Sequence, residues 1–151
     1  MPAIERKGSK VRIRPMEPED IDAVLAIDKK ISGVRRAVTY TDLITGDLGG
    51  VLDLSFVAEV DGHIAGFILA RRSYVGEPVA EVGLVQILGV DPDYGRQGIA
   101  TKLVEALLES GQSENLKAVR IMIKERDSQL QAFFAHMGFK RGQLIDYTKT
   151  L

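Results

Sequence analysis

"GVDPDYGRQGIA", residues 89–100, is the stretch that decides the fold. An apolar strand runs into Asp91–Pro92 and then into a short segment carrying Gly95, Arg96 and Gly98. A helical pattern follows, with Ile99, Leu103 and Leu107 at i, i+4 and i+8, Ala100, Val104 and Leu108 beside them, and an end expected near Gly111. A helix N-terminus presents unpaired backbone N–H groups and partial positive charge, which suits an anion. Phosphate reaches those groups only where side chains are small. Gly98 and Ala100 meet that need, Gly95 relaxes the turn, and Arg96 adds a fixed positive charge. The alternative is that the glycines only close a tight strand-to-helix turn, and spacing alone leaves both readings open. The spacing does not fit a dinucleotide-binding GxGxxG, and no Gly-Lys-Ser/Thr follows to make a Walker loop.

Upstream, Val11–Arg14 alternates apolar and basic residues, which predicts a short strand with Arg12 and Arg14 on its wet face. "EPEDIDAVLAIDKKI" (17–31) predicts a helix with Pro18 at its first position and Ile21, Val24, Leu25 and Ile31 as its buried stripe. Thr41 can cap a second helix through Leu48, stopped by Gly49–Gly50. In "LSFVAEVDGHIAGFILARRS" (54–73), two β-rich runs flank Asp61–Gly62, a strong hairpin signal. A third run, "VAEVGLVQILGV" (79–90), follows the turn-like Gly76–Pro78. Downstream, Ala118–Ile123 reads as a strand, and Ser128 with Gln131 as a capping box for a helix through His136. Gly138 ends that helix, and Phe139–Leu151 reads as a terminal strand. The expected order is β α α β β β α β α β, an antiparallel start followed by a crossover to a parallel pair.

At 151 residues, with no repeat or low-complexity linker, the chain is expected to be a single domain over residues 1–151. Its net charge of −1 gives no global field for nucleic acid. The basic cluster Arg6, Lys7, Lys10, Arg12 and Arg14 is diluted by Glu5 and reads as a solvated N-terminus. With no cysteine there is no disulfide, thiolate metal site or cysteine nucleophile, and His63 and His136 are too far apart in sequence to suggest a metal site. No signal peptide or membrane-spanning run is apparent, so a cytoplasmic location and no membrane partner are expected.

"VDPDYGRQGIA" (90–100) followed by "TKLVEALLE" (101–109), together with "DSQLQAFFAHMGF" (127–139), resembles the GCN5-related N-acetyltransferase (GNAT) superfamily, and the compact length is similar to its ribosomal-protein N-terminal acetyltransferase branch. The resemblance covers nearly the whole chain. It implies a mixed α/β (α+β) single domain with a twisted central mixed sheet of six to seven strands and about four helices. It implies acetyl-CoA as co-substrate. The family's Arg/Gln-x-x-Gly-x-Gly/Ala signature maps onto Gly95, Arg96, Gln97, Gly98, Ile99 and Ala100, with Thr101 next, and holds pyrophosphate through backbone N–H groups. Gly95 departs from the family's Arg or Gln. The pantetheine arm would lie against Leu88, Gly89 and Val90, between strands that splay apart. Asp127 stands where the family has an Asn touching that arm, and Phe134 where it commonly has a Tyr that protonates the leaving thiolate.

Transfer to an amine needs a neutral nitrogen, a polarised carbonyl and a leaving thiolate. Three residues are candidates for catalysis. Glu81 lies on the key strand but at its start. Gln86 can orient a water or the amine, or be satisfied by a neighbour. Tyr147 on the terminal strand can serve as an acid. The acceptor would be a primary amine on a protein N-terminus, a lysine or a small molecule, approaching over Ile31–Gly50 and Ser73–Pro78, where Arg35, Arg36 and Tyr40 are on offer. The other readings are a GNAT domain that binds acyl-CoA as a sensor without turnover, and an α/β module with no CoA site. A single strand after Phe139 would leave a sheet edge to cover, so monomer and homodimer are both expected.

Overall fold

The computed structural model describes residues 10–33 and 54–151. Their order is β1 (Val11–Pro15), a 3₁₀ turn (Pro18–Asp20), α1 (Ile21–Ser32), β2 (Phe56–Val60), β3 (His63–Val75), β4 (Ala80–Val90), a 3₁₀ turn (Pro92–Tyr94), α2 (Ile99–Ser113), β5 (Val119–Ile121) and α3 (Ser128–His136). The predicted helix from Thr41 to Leu48, together with Arg35, Arg36, Tyr40, Arg6 and Lys7, lies outside the described residues.

The strands form one sheet in the order β1-β2-β3-β4-β5. The first three pairings are antiparallel and β4–β5 is parallel, across the crossover helix α2. Asp61 and Gly62 turn the β2–β3 hairpin at φ 52° and 81°, the positive pair that a two-residue turn requires. Val60 therefore faces His63. α1 covers one face of the sheet, where Val24, Leu25 and Ile27 meet Met16, Val57, Phe67 and Leu69. α2 and α3 cover the other, where Ile99, Leu103, Val104, Leu107 and Phe134 meet Leu54, Ala58, Ile68 and Val85. Among the described residues no helix is long and apolar enough to cross a membrane.

Several expectations are corrected. The described residues hold five strands and three α-helices, fewer than the six to seven strands and about four helices implied by the resemblance. Phe139–Leu151 forms no strand: it makes no ladder with any strand, although β5 ends the sheet with its outer side unpaired. The strand expected over Ala118–Ile123 is paired only from Val119 to Ile121. α2 continues past Gly111 to Ser113. Pro18 opens a 3₁₀ turn, not the α-helix itself. In α1 the stripe runs through Ile27, while Ile31 is 53% exposed in the last turn. Arg14 is not on a wet face. Its guanidinium donates to both carboxylate oxygens of Asp20 (2.9 and 2.8 Å) and to Glu59 (2.7 Å). Burial alone would raise the Asp20 carboxyl, but the Arg14 fork and the Glu17 N–H outweigh it and hold it below the usual aspartate value.

Candidate active site

The site is built from an irregularity in β4. Across β3, Leu69 faces Ile87 but Ala70 faces Val85, so Gln86 is the extra residue of a β-bulge. On the other side, β5 pairs only with Gly83, Leu84 and Val85 and stops where the bulge begins. From Gln86 to Val90, β4 has no strand neighbour on that side among the described residues.

The bulge also changes which residues present their backbone there. Before it, the Gly83 N–H donates to Ala118 (2.9 Å) and the Glu81 carbonyl accepts from Lys117 (3.0 Å), so odd-numbered residues face β5. After it, the Asp91 N–H donates to Ala65 on the β3 side (2.8 Å). Backbone groups alternate along a strand, so Gly89 also faces β3, and Leu88 and Val90 face the open edge. Side chains shift in step. Gly83 and Val85 lie on the α2 face, while Ile87 packs with the α1 core. Alternation puts Gln86 on the α1 face as well, where it is exposed.

β4 leads directly into the glycine segment. Asp91 is buried, and its carboxylate accepts from the Asp93 N–H (2.9 Å) and from Lys30 at the end of α1 (3.2 and 3.0 Å). Lys30 also reaches Asp93 (3.0 Å), and these two partners hold its amine above the usual lysine value. The turn is therefore tied to α1. Gly95 has an ordinary extended backbone (φ −62°, ψ 159°), so the turn does not need glycine there. Instead Arg96 takes the left-handed conformation at φ 66°, as does Gly98 at φ 71°. Gly98 is the N-cap of α2, no side chain caps the first turn, and a Cβ built on Gly98 meets nothing within 4 Å. The N–H groups of Ile99, Ala100 and Thr101 open the first turn beside that empty space, a cradle that could hold an anion, with Arg96 and Gln97 in the loop before it. The Ile99 side chain is buried against Gly66 of β3, where a Cβ would stand 2.8 Å from Ile99 Cγ2. That close approach sets α2 against the sheet. Gly66 gave no signal in the sequence beyond a glycine inside a strand.

The other candidate residues are placed as follows. Glu81 sits at the start of β4, about 23 Å along the strand from Leu88 at 3.3 Å per residue; its carboxylate accepts from the Tyr74 hydroxyl (3.4 Å). Tyr147 is 90% exposed in the unpaired tail. Of the three catalytic candidates, only Gln86 borders the open edge. Asp127, not Ser128, caps α3: its carboxylate accepts from the Leu130 N–H (3.0 Å). Gln131 does not close a capping box with Ser128 but donates to the carbonyls of Lys124 (3.1 Å) and Glu125 (2.8 Å). Phe134 is 2% exposed, with its ring edge-on to Phe133 (5.1 Å) and Phe139 (4.9 Å). Among the described residues no three His, Cys, Asp or Glu side chains gather as a metal site.

The sequence profile described as the Acetyltransferase (GNAT) family matches residues 23–139, which span the open strand edge, the cradle and α3. The chain belongs to that family. Solved structures share the fold over nearly the whole length. An aminoglycoside N-acetyltransferase, AAC(6')-Iy, in complex with CoA superposes with a TM-score of 0.77 at 19% identity, covering 95% of this chain and 97% of that one. A ribosomal-protein-alanine N-acetyltransferase from Brucella melitensis biovar Abortus 2308 gives 0.76 at 14% identity, with 94% and 99% covered. In sequence, an N-alpha-acetyltransferase of Sulfurisphaera tokodaii is 24% identical over 147 residues, 93% of this chain and 86% of that protein. An uncharacterized N-acetyltransferase of Archaeoglobus fulgidus is 28% identical over 100 residues, 66% of this chain. The matched region spans 65% of the length of that Archaeoglobus protein and 40% of a Methanocaldococcus jannaschii relative.

Proposed function

We propose that this GNAT chain is an acetyl-CoA-dependent N-acetyltransferase that passes the acetyl group directly to a primary amine. The observation that carries the reading is one continuous segment, Gln86–Thr101, in which an unpaired strand edge leads to an uncapped helix N-terminus. An extended arm bearing amides pairs with a strand edge as a peptide does, and a pyrophosphate sits on helix N–H groups. Leu88 and Val90 would bind the arm through their backbones, with Gly89 between them seated on the Phe67 ring, where a Cβ would stand 2.7 Å away. Gly95, Arg96, Gln97, Gly98, Ile99, Ala100 and Thr101 would hold the pyrophosphate. Asp127 and Phe134 would flank the arm near the sulfur.

In the reaction the amine nitrogen attacks the thioester carbonyl. The C–N bond forms, the C–S bond breaks, one proton leaves the nitrogen and one reaches the sulfur. A backbone N–H on the open edge faces the developing oxyanion, and holding the two reactants together supplies much of the rate. Gln86 has no proton-accepting side chain at neutral pH, so its role is to orient the amine or the water that takes the proton. Phe134 has no proton to give and Tyr147 stands exposed in the tail, so water protonates the thiolate.

The acceptor is a protein N-terminus, a lysine or a small amine, a class supported by the names of the N-alpha-acetyltransferase and aminoglycoside relatives. Near-zero net charge supports no role for nucleic acid, and the cysteine-free sequence accords with the cytoplasm. A second reading, a domain that binds acyl-CoA as a sensor without turnover, is favoured by one observation: neither Gln86 nor Phe134 can exchange a proton. Mass spectrometry of an amine panel after incubation with acetyl-CoA, alongside calorimetry, separates the two. Acetylated product supports the enzyme, binding without product supports the sensor, and no binding overturns both.

A further inference from the structure

We infer that Arg120 selects the acceptor, and that the acceptor is a peptide N-terminus followed closely by an acidic residue, whose carboxylate Arg120 holds. This rests on the transferase reading above and names the class of its second substrate. Arg120 lies opposite Leu84, one rung before the β4–β5 ladder ends at Val85 and Ile121. Gly83 and Val119 pair on the α2 face, so Leu84 and Arg120 share the α1 face, which is also the face of Gln86. At about 3.3 Å per residue and 4.8 Å between strands, the Cα of Arg120 stands roughly 8 Å from that of Gln86, at the mouth of the slot. Arg71 on β3 lies on the other side of Leu84, so this row of the sheet carries two cations.

The remaining arginines of the sheet are matched. Arg12 and Arg14 meet Glu59, Arg14 also holds Asp20, and Arg72 meets Glu114 at 2.6 Å. Arg120 forms no ion pair among the described residues. It is half-buried, and its Nε is buried with no acceptor, which leaves a hydrogen-bond cost unmet. Its terminal nitrogens lie beside glycines. Nη2 is 3.4 Å from where a Gly76 Cβ would stand, and Nη1 is 3.6 Å from where a Gly142 Cβ would stand. Neither neighbour therefore puts a side chain over the end of the fork. Glu77, next to Gly76 in the chain, is exposed and makes no ion pair with it among the described residues. A planar fork with open terminal donors takes a carboxylate in bidentate fashion. The side chain runs from β5 toward the β3–β4 turn, away from the slot. A carboxylate held there lies on the order of 12–16 Å from an amine held beside Gln86 and Leu88, beyond the reach of a small amino acid. An extended peptide covers about 3.3 Å per residue, so an acidic side chain at about the third to fifth position spans the gap.

The test measures acetyl transfer from acetyl-CoA by the native chain, Arg120→Met and Arg120→Lys. The acceptors are peptides with Asp or Asn at successive positions after a free N-terminus, the same peptides with a blocked N-terminus and an internal lysine, and small amines with and without a carboxylate. The native chain should favour the Asp peptides by at least about tenfold in kcat/KM, the usual size of one charged hydrogen-bonded contact, with the preference greatest at about the third to fifth position. Arg120→Met should bring the preference within about twofold, and Arg120→Lys should keep part of it. A merely structural role would lower both rates alike and leave their ratio standing. Methionine keeps the apolar stem, and circular dichroism melting checks the fold; should that variant not fold, the native preference and the lysine variant decide. Equal rates on Asp and Asn peptides, or a preference that survives Arg120→Met, overturn the inference and leave the transferase reading intact. A preference shown only among small amines, or only at an internal lysine, overturns the acidic N-terminus as acceptor. CoA binding with no product from any acceptor overturns the transferase reading and this inference with it.

Discussion

Gly98 is where the conformational and the binding roles of the cradle can be pulled apart. Two substitutions suffice, Gly98→Ala and Gly98→Asp. Both put a Cβ into the space that is open to 4 Å around this N-cap. Neither meets a protein atom, so the folding cost is that of the left-handed backbone at φ 71°. For alanine that is about 1–2 kcal/mol, or roughly 2–8 °C in Tm for a chain of this size. Aspartate visits that conformation more easily, and its charge favours a helix N-terminus by about 0.3–1 kcal/mol, so its net folding cost is smaller than that of alanine. Binding runs the other way. A carboxylate about 5 Å from a phosphate charge repels it by roughly 0.8 kcal/mol in water and 3.3 kcal/mol at an effective dielectric of 20. CoA affinity in Gly98→Asp should therefore fall at least tenfold, about 1.4 kcal/mol. Calorimetry with CoA and thermal melts on the same samples give both numbers. Aspartate is the more stable variant and the weaker binder. A folded Gly98→Asp protein that binds CoA as tightly as the native chain refutes the cradle.

Three further outcomes are expected. Ser55 is fully buried, and its hydroxyl both accepts from the Ala70 N–H and donates to the Ala70 carbonyl (3.0 Å each), so Ser55→Ala should lower stability by about 1–3 kcal/mol in urea unfolding; a loss under about 0.5 kcal/mol would show that neither bond matters. The folded Asp20 carboxyl is held below its unfolded value near 3.9, so its contribution is complete above about pH 4 and drains away as pH falls through the lower, folded value. Unfolding curves of native and Asp20→Asn protein should therefore converge below pH 4, and a gap that stays constant with pH would contradict the Arg14–Asp20 pairing. Phe134→Tyr should raise kcat, by up to about 10²-fold if the new hydroxyl reaches the sulfur; a melting point lowered with no gain in rate would mean that the ring edge faces the core and not the thioester.

Local chemistry made parts of this fold legible. The Asp61–Gly62 turn and the period of α2 each depend on neighbours within a few residues, and both are seen as expected. Most of the misses share one cause: partners distant in sequence. "GLVQILGV" reads as an unbroken strand, and the bulge at Gln86 shows only when β3 is laid beside it. Ser55 looks like an ordinary polar residue until Ala70 stands opposite. Arg14 follows the strand alternation to the outer side, where Asp20 and Glu59 enclose it. Asp127 and Ser128 are equally good caps on paper, and only the turn from Lys124 selects the first. Strand pattern alone did not make Phe139–Leu151 a strand, although β5 leaves an edge unpaired.

One inserted residue accounts for most of what the site can do. Were residue 86 an ordinary strand residue and not a bulge, the alternation set by Gly83 and Val85 would continue. Residues 87 and 89 would then present their backbones toward β5, and the parallel ladder could run on to the end of β4 and leave no slot. With Gln86 in place the ladder stops at Val85, and Leu88 and Val90 turn their backbones outward. Alternation from Val85 puts the polar Gln86 side chain on the α1 face, and the bulge keeps Ile87 on that face too, in a strand otherwise apolar between Val82 and Val90. The cradle is then placed by contacts that the bulge does not touch: Ile99 lies against Gly66, and Lys30 ties the Asp91–Asp93 turn to α1. The strand edge and the helix N-terminus are thus fixed separately on a rigid sheet. Substitutions in the turn should change how tightly an anion is held without changing how the edge is exposed, whereas changes at Gln86 should alter the edge and leave the anion cradle standing.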